Sequence, residues 1–211
     1  LLARGARFRL PAMLLRDQAL AASGLLLDEI GGPPVYPHQP DGLWRDFSFG
    51  KISYPHQEEE AHLHRRSLYT FWRRTSAPPN LFDASSRQVC TVKASRTNTP
   101  LHALTLLNDT TYVEAARALA RRMMREGGTK PEERIAHAFT LCTGRAPTPA
   151  EMALLLDGHR RSLEKFRQHP DDARAYAGVA DDDETADFLQ LAADTRTAQI
   201  LLNLDETLNR P

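Results

Sequence analysis

The stretch RTNTPLHALTLLND, residues 96–109, contains two helix-start signals on either side of a short apolar run. Thr99 followed by Pro100 is typical of a helix N-cap with proline at the first helical position. Asp109 can cap a second helix, because its carboxylate accepts a backbone N–H of the first turn. The run between the caps predicts one buried stripe, formed by Leu101, Leu104 and Leu107. We therefore expect two consecutive helices with a bend between them.

Similar start and stop signals predict further helices on both sides of this stretch. Proline or a capping residue opens predicted helices near Pro11, Thr129 and Thr148. Glycines typical of helix ends follow the apolar periodicity at Gly31, Gly32, Gly127, Gly128 and Gly144. A last helix is expected over residues 185–202, after an exposed acidic loop at 168–184. The pattern gives five or six helices.

Two other kinds of segment interrupt the helices. Prolines alternate with aromatic residues over residues 33–60, a composition that cannot hold a helix but can lie on a core through its rings. Residues 67–72 and 88–94 are rich in β-branched and aromatic residues and are separated by turn-prone residues. This pattern predicts two short strands that could pair.

The predicted fold class is mainly α. We expect a multi-helix bundle with a small two-stranded β element and a long loop rich in proline and aromatic residues. The whole chain, 1–211, would form a single domain with a helix and ordered loop (1–60), short strands (61–98) and a helical bundle (99–211). A chain of 211 residues with 41% apolar content can build one such core without disulfides or metals.

Composition argues against two classes of partner. The 27 basic and 27 acidic residues cancel, so the chain has no global field to attract nucleic acid or an anionic membrane. No apolar window reaches the ~18 residues of a membrane-spanning helix. We therefore expect no nucleic-acid partner and no membrane span in this segment. Because the chain does not begin with Met, we expect it to be a fragment of a longer polypeptide.

The two cysteines leave two alternatives open. Cys90 and Cys142 could form one disulfide, or they could remain buried thiols. Neither belongs to the C-x-x-C-H pattern that attaches haem covalently. We therefore expect no attached haem in this segment.

Four motifs, in order along the chain, carry a resemblance to a known family: RDQALAASGLLLDEIGGPPVYP (16–37), RRSLYTFWRRT (65–75), FDASSRQVCTVKASRTNTPLHALTLLND (82–109) and ILLNLDETL (200–208). Together they resemble the C-terminal domain of unknown function, a PSD-type domain, found in planctomycete cytochrome-c-domain-containing proteins. One position departs from the family motif, since His102 stands where Gln is usual. A histidine there could complete a capping box with Thr99 only through an unprotonated ring nitrogen.

The resemblance implies a context rather than a reaction. Proteins with this domain are long extracytoplasmic polypeptides, typically with a secretion signal and often with a cytochrome c module ahead of the domain. An extracytoplasmic (periplasmic or secreted) location is thus expected, with upstream domains of the same polypeptide as partners. Haem c would sit upstream, and no cofactor is expected in this segment. The domain has no established activity, so the resemblance assigns no catalytic residues.

A metal site is the first chemistry to consider. His56, His62 and His64 could point to one side of an extended segment, and imidazoles are common ligands of zinc and copper. The neighbouring glutamates favour a polar loop instead, and no second ligand pair has a spacing typical of zinc sites. We expect no metal here.

Hydrolytic chemistry has a weaker signal. The chain has no G-x-S-x-G motif, and Ser85 and Ser86 are typical turn residues. Asp83, Asp109 and Asp205 could serve as paired carboxylates only if the fold brings two of them together.

The basic and aromatic segment 65–75 allows two interpretations. Its rings, Tyr69, Phe71 and Trp72, could stack on sugars beside Arg66, Arg73 and Arg74, which would suit an anionic polysaccharide. The interpretation that we favour is a core strand whose aromatic residues are buried and whose arginines pair with acids elsewhere.

Two functions therefore remain open. The first is a non-catalytic structural or docking domain that contacts the upstream domains and supports electron transfer or carbohydrate handling indirectly. The second is a glycan-binding or carbohydrate-processing domain that acts on polysaccharide, including sulfated polysaccharide. Helix starts can bind an anion through backbone N–H groups. The ligand-binding residues gathered around them would be Arg66, Arg96, Asn98, Asn108 and Asp109.

Overall fold

A computed structural model describes residues 8–39, 54, 60–71, 80–84, 90, 92, 96–180 and 187–210. These residues form eight α-helices: α1 (Ala12–Ser23), α2 (Pro100–Asn108), α3 (Thr110–Glu126), α4 (Pro131–Thr143), α5 (Pro149–Gln168), α6 (Pro170–Ala177), α7 (Phe188–Leu202) and α8 (Asp205–Leu208). Two short 3₁₀ helices cover Glu60–His64 and Ser67–Tyr69. The prediction of a mainly α, multi-helix bundle is confirmed.

The centre of the bundle is the contact between α3 and α7. Both helices bury small residues, which lets their backbones approach closely. The fully buried alanines at this contact and beside it are Ala115, Ala116, Ala120, Ala192, Ala193 and Ala198. Helix α1 packs on α3, while α5 and α6 pack on α7. No helix among the described residues is long and apolar enough to cross a membrane.

Helix α6 was not expected, because residues 168–184 were predicted to form an exposed acidic loop. Pro170 occupies the first helical position and Gly178 ends the helix with a φ of 65°. Ala173 and Ala177, one turn apart, are completely buried. The acidic composition of the segment concealed this buried stripe of small residues.

Three N-caps lie where the sequence places them, whereas α1 ends at Gly24 rather than at the predicted Gly31 and Gly32. The Thr99 hydroxyl accepts the His102 backbone N–H (3.4 Å) at the start of α2, and Asp109 Oδ1 accepts the Thr111 N–H (3.0 Å) at the start of α3. Thr148 and Glu151 form the complete capping box of α5. The two helices of the stretch 96–109 and the bend between them are confirmed.

The buried face of α2, however, differs from the predicted stripe. Leu101 and Leu104 are 68% and 56% exposed, whereas His102 and Leu106 are buried. Residues 102 and 106 are one turn apart and share a face, and this face is turned inward, where His102 stacks on Phe82. The predicted stripe is therefore wrong for Leu101 and Leu104, which face solvent, whereas Leu107 is partly buried.

The small β element is present but is built from other residues than predicted. Strand β1 (Phe8–Arg9) pairs antiparallel with β2 (Asn209–Arg210), so the sheet joins two segments at opposite ends of the sequence. Ser67–Tyr69 is a 3₁₀ helix rather than part of a strand. Of the second predicted strand, Cys90 and Val92 have no regular structure and the rest lies outside the described residues.

The loop rich in proline and aromatic residues lies on the core in the part that is described. Val35 is buried and exchanges backbone hydrogen bonds with Tyr69 and Phe71 (2.9 and 2.7 Å). Tyr36 contacts the ring of Phe71, with ring centres 4.9 Å apart. Residues 40–53 and 55–59 of the predicted loop lie outside the described residues.

Three consecutive polar residues of α1 fix distant segments of the chain. Arg16 donates to the carbonyl oxygens of Leu63 and Arg65 and to Ser67 Oγ. Asp17 Oδ1 accepts the N–H and the hydroxyl of Ser67 at 2.7 and 2.6 Å. The Gln18 amide donates to the carbonyl oxygens of Cys142 (3.4 Å) and Thr207 (3.1 Å). Helix α1 is thus an anchor for both the irregular segment and the end of the bundle.

The two cysteines are free thiols. Cys142 is buried in the core, and burial raises the pKa of its thiol to about 12. Cys90 is exposed. The disulfide alternative is excluded, and the expectation of burial holds for Cys142 alone.

Candidate functional site

The five residues predicted to bind a ligand lie in three separate places. Arg96 places its guanidinium over the ring of Phe8, 4.8 Å from the ring centre. Asn98 Oδ1 accepts a hydrogen bond from Arg9 Nη1 at 2.8 Å. These two residues therefore hold strand β1 in place. A pocket lined by both of them would have favoured the ligand-binding hypothesis, and instead they make internal contacts.

Arg66 lies at the 3₁₀ helix Ser67–Tyr69, where its side chain is 48% exposed. Its Nε atom is 3.9 Å from Asp17 Oδ2, which makes it one member of a polar cluster on the surface of α1. The two aromatic neighbours that the structure describes turn inward. Tyr69 stacks on Arg65 (4.0 Å) and its hydroxyl accepts the Gly31 N–H, while Phe71 packs on Tyr36.

The predicted stacking platform is thus not formed by the part of segment 65–75 that is described. Trp72, Arg73 and Arg74 lie outside the described residues. Arg65 itself is buried in a cage of carbonyl oxygens from Glu29, Gly31 and Pro33. The rings of Tyr69 and Phe71 thus pack inside the fold and are partly buried, but Tyr69 is not in a strand and Arg65 pairs with carbonyl oxygens rather than with acids.

Asn108 and Asp109, the remaining two predicted residues, line a groove of about 630 Å³. The groove lies between the end of α2, the start of α3 and the segment that carries His38. Its lining residues are His38, Gln39, Leu104, Thr105, Asn108, Asp109 and Thr110. We call this feature the α2–α3 groove. Polar side chains and an accessible concave surface coincide here.

Asp109 is the carboxylate of the α2–α3 groove, and its main contacts are structural. Its Oδ1 atom caps α3 and also accepts a hydrogen bond from the buried Asn80 amide at 3.3 Å. Burial raises the pKa of Asp109 above its ordinary value, although the hydrogen bonds from Thr111 and Asn80 oppose the shift. Asn108 donates to the Leu104 carbonyl (2.8 Å) and remains exposed.

A histidine–carboxylate cluster adjoins the groove. His38 Nε2 lies 3.5 Å from Glu114 Oε1, and His64 Nε2 lies 3.5 Å from Glu114 Oε2. Partial burial acts to raise the pKa of Glu114, but the hydrogen bond from His64 and the charges of both histidines outweigh it. The pKa of Glu114 therefore lies below its ordinary value. Since His38 also lines the groove, the cluster and the groove share one wall.

The histidines predicted as a weak metal candidate do not form a site in the described structure. His62 and His64 lie on the 3₁₀ helix Glu60–His64 rather than on an extended segment, so they do not follow the two-residue alternation of a strand. His56 lies outside the described residues. Among the residues that the structure describes, no three His, Cys, Asp or Glu side chains are arranged to hold a metal.

The other carboxylates have structural partners. Asp83 accepts the N–H and the hydroxyl of Thr97 (2.7 and 2.9 Å), and Asp205 accepts the Asn209 amide (2.6 Å). Ser85 and Ser86 lie outside the described residues. These contacts provide no pair of carboxylates arranged for catalysis.

His102 uses its ring for packing. The ring stacks on Phe82 with centres 4.1 Å apart, and Nε2 lies 4.0 Å from Asp83 Oδ1. Its Nδ1 atom is buried with no hydrogen-bond partner among the described residues. The Thr99 cap is therefore made by the backbone of residue 102 alone. A flat ring suits this stack, which gives the departure from Gln a structural role.

Sequence reasoning missed a buried polar network in the bundle. Asp194 of α7, completely buried, lies 3.1 Å from Arg134 Nε of α4 and 2.9 Å from His159 Nε2 of α5. Gln190 Nε2 lies 2.9 Å from His159 Nε2. The sequence does contain a signal for this network: Asp194 and Arg134 are charged residues that stand between buried positions of a helical pattern.

This network is sealed by the packing around it. A Cβ atom at Gly127 would come within 2.7 Å of Arg134 Cα, so glycine allows the end of α3 to lie directly against α4. His159 is 2% exposed. Because a substrate cannot reach side chains buried to this degree, the network is a structural tie between three helices.

The comparisons with known proteins identify a family but no activity. The model of the PSD1 family, described as protein of unknown function (DUF1553), matches residues 1–158. No curated protein and no solved structure matches the chain. The matched residues include the α2–α3 groove, His38, His64 and Glu114. His159 and Asp194 lie after residue 158, outside the matched range. Since the match covers more than half of the 211 residues, the chain belongs to the PSD1 (DUF1553) family of proteins of unknown function.

Proposed function

We propose that this chain is a non-catalytic docking module of a longer extracytoplasmic, cytochrome-c-associated polypeptide. Its docking surface is the outward face of α2, formed by Leu101, Leu104 and Asn108, which we call the α2 face. The observation that carries the proposal is the orientation of α2, which exposes two leucines while burying a histidine. Exposed apolar side chains grouped beside a groove are typical of interaction sites.

The α2 face has the composition that docking requires. Covering Leu101 and Leu104 with a partner would remove apolar surface from water, and burial of a leucine side chain contributes about 1.5–3 kcal/mol. Leu104 and Asn108 also line the α2–α3 groove, so a partner side chain could enter the groove beside the leucines. A docking role of this kind needs no catalytic residue.

The position of strand β1 supports an upstream segment as the partner. Arg9 is hydrogen-bonded to Asn98, which lies two residues before α2 begins, and its guanidinium lies 5.9 Å from the ring of Phe82. Phe82 in turn stacks on His102 of α2. Any polypeptide that precedes Phe8 would therefore leave the fold close to the start of α2. The extracytoplasmic location and an upstream cytochrome c rest on the motif resemblance.

The test is a binding measurement with the upstream part of the polypeptide, expressed separately. We expect the double variant L101S/L104S to bind at least about tenfold more weakly than the wild type, a change of about 1.4 kcal/mol. L154S is the matched control, because Leu154 on α5 is 73% exposed but lies on another helix. Equal affinities for the wild type and L101S/L104S would contradict the proposal.

Glycan binding is the second candidate, and the α2–α3 groove is the observation that favours it. Amide, hydroxyl and carboxylate groups line the groove, as sugar hydroxyls require. Retention of the chain on a panel of sulfated and neutral polysaccharides, and its loss in N108A, would support this function. Absence of retention would remove it and would leave docking as the function of this surface.

A further inference from the structure

The geometry points to a pH-dependent clasp, formed by His38, Glu114 and His64, that fixes the wall of the α2–α3 groove. This inference concerns the movement of the wall and does not depend on which ligand or partner the groove accepts. It rests on the fact that two imidazoles from separate segments share one carboxylate.

Three parts of the fold meet at the clasp. Glu114 is on α3, the central helix of the bundle, and is held in a fixed position by it. His64 ends the 3₁₀ helix Glu60–His64, whose backbone is tied to Leu27 through a 3.1 Å hydrogen bond. His38 lies three residues beyond Val35, where the backbone ladder with Tyr69 and Phe71 is made. The contact to Glu114 thus secures the segment beyond the ladder.

The side chains of the clasp are accessible to protons. The exposed fractions are 42% for His38, 35% for Glu114 and 18% for His64. An ordinary histidine titrates near pH 6.5, so its charge changes within the physiological range. A protonated imidazole attracts the carboxylate through a charge-assisted hydrogen bond, whereas a neutral imidazole is held only by an ordinary hydrogen bond.

Other ionisable groups lie near Glu114. Arg16 of α1 carries a buried positive charge that interacts with Glu114 and favours its ionised form. Asp109 lies at the start of the same helix, and His62 lies on the same 3₁₀ helix as His64. Arg16 stays charged across the range in which histidines titrate, so it adds no change with pH.

The direction of the pH dependence follows from the carboxylate and the imidazoles together. The low pKa of Glu114 means that its contribution is present above its ordinary pKa and is lost as the pH falls through the lowered value. A histidine that gains a carboxylate partner contributes below its ordinary pKa, and this contribution is lost as the pH rises. The clasp is therefore held most firmly where Glu114 is ionised and the imidazoles are protonated, and it loosens at higher pH, where imidazoles are neutral. Acidification tightens the groove wall.

Amide hydrogen exchange of Tyr36, His38 and Gln39 in the whole chain tests the clasp. After correction for the intrinsic pH dependence of exchange, we expect about threefold more protection at pH 5.5 than at pH 7.5, the size expected of partly exposed ion pairs. In E114Q the protection should be the same at pH 5.5 and at pH 7.5, because the amide side chain carries no charge. H38Q should also abolish the difference, and it tests the clasp even if E114Q is unstable.

The chain offers a matched control in another histidine–glutamate pair. His137 Nε2 lies 3.6 Å from Glu126 Oε2 with exposed fractions of 31% and 32%, but this pair is at the junction of α3 and α4. H137Q should leave the exchange of residues 36–39 unchanged at both pH values. Protection that is independent of pH in the wild type, or a pH dependence that persists in E114Q and H38Q, would overturn the inference.

Discussion

The irregular region around α1 and the helical core around α7 both bury arginines, but the two regions neutralise them differently. Arg16 and Arg65 donate mainly to backbone carbonyl oxygens, from Leu63 and Arg65 in one case and from residues 29–33 in the other. Arg134 donates to one carbonyl oxygen, that of Thr129, but its charge lies against the carboxylate of Asp194, which is shared with His159.

The difference follows from what each region does with its backbone. In the bundle, helical hydrogen bonds use the carbonyl oxygens, so a buried guanidinium needs an anionic side chain as its partner. In the irregular region the carbonyl oxygens lack such partners, and a single arginine can satisfy several of them. Positive φ angles at Gly31 (86°) and Gly32 (83°) allow the tight turn from which carbonyls reach Arg65. One residue type therefore serves two structural needs.

Removal of Asp194 should have the largest effect on stability, because it disrupts the buried network of the core. In D194A, the buried charge of Arg134 has lost its partner, and removal of one member of a buried pair costs about 3–5 kcal/mol of unfolding free energy. Urea unfolding followed by circular dichroism measures the loss. D157A, which removes the partner of the exposed Arg161, should change stability by less than about 1 kcal/mol. Equal losses in D194A and D157A would refute the structural role of the network.

Substitution of Arg16 should have the next largest effect and should act locally. R16M keeps much of the buried apolar stem but leaves the carbonyls of Leu63 and Arg65 without their donor, which costs about 2–3 kcal/mol. Burial lowers the pKa of Arg16, so the wild type already bears a desolvation cost that limits the loss. Hydrogen exchange should show faster exchange over residues 62–67 with little change in α7. A uniform loss of protection in both regions would contradict the expectation that Arg16 stabilises the irregular region locally.

Substitution of Asp109 tests a cap that lies between the two regions. D109A should cost about 1 kcal/mol, whereas D109N should cost less because asparagine also caps helices. The raised pKa of Asp109 means that the folded protein binds its proton more tightly than the unfolded chain. The wild type should therefore lose stability relative to D109N as the pH rises from about 3.9 through the raised pKa. Thermal unfolding of both variants between pH 3 and 7 measures this difference.

The smallest effect on stability is expected at Arg145, an arginine on the surface. Its hydrogen bonds hold the pKa of Glu151 at about 2, with help from the Thr148 backbone and hydroxyl. R145Q should raise the pKa of Glu151 toward its ordinary value, as measured by a carboxyl carbon titration. Because exposed ion pairs contribute little, the urea midpoint at pH 7 should hardly move. A loss of stability as large as that in R16M would show that the exposure of an arginine does not determine how much it contributes to stability.

Local signals in the sequence predicted the helices well and the burial of their faces less well. The caps at Thr99, Asp109 and Thr148 act within one turn, so their residues alone determine them. Which face of α2 is buried depends on Phe82 and the α3 contact, which lie elsewhere in the sequence. Helix α6 was missed because its acidic residues are exposed while its alanines are buried.

The candidate site was predicted only in part for a similar reason. Asn108 and Asp109 line the α2–α3 groove, whereas Arg96 and Asn98 hold β1 and Arg66 lies near Asp17. The groove exists because His38 and Gln39 approach from a segment about 70 residues earlier. The network at Asp194 likewise joins three helices. Contacts between segments far apart in the chain carry no periodic signal.

The three anchors at positions 16–18 of α1 also constrain the length of the chain. Successive residues of a helix are rotated by about 100°, so Arg16, Asp17 and Gln18 reach their partners only at one rotation of the helix. A substitution removes one anchor, but a single-residue insertion between Ala12 and Arg16 would turn all three away together. Insertions and deletions should therefore be tolerated far less in this helix than exchanges of its exposed residues.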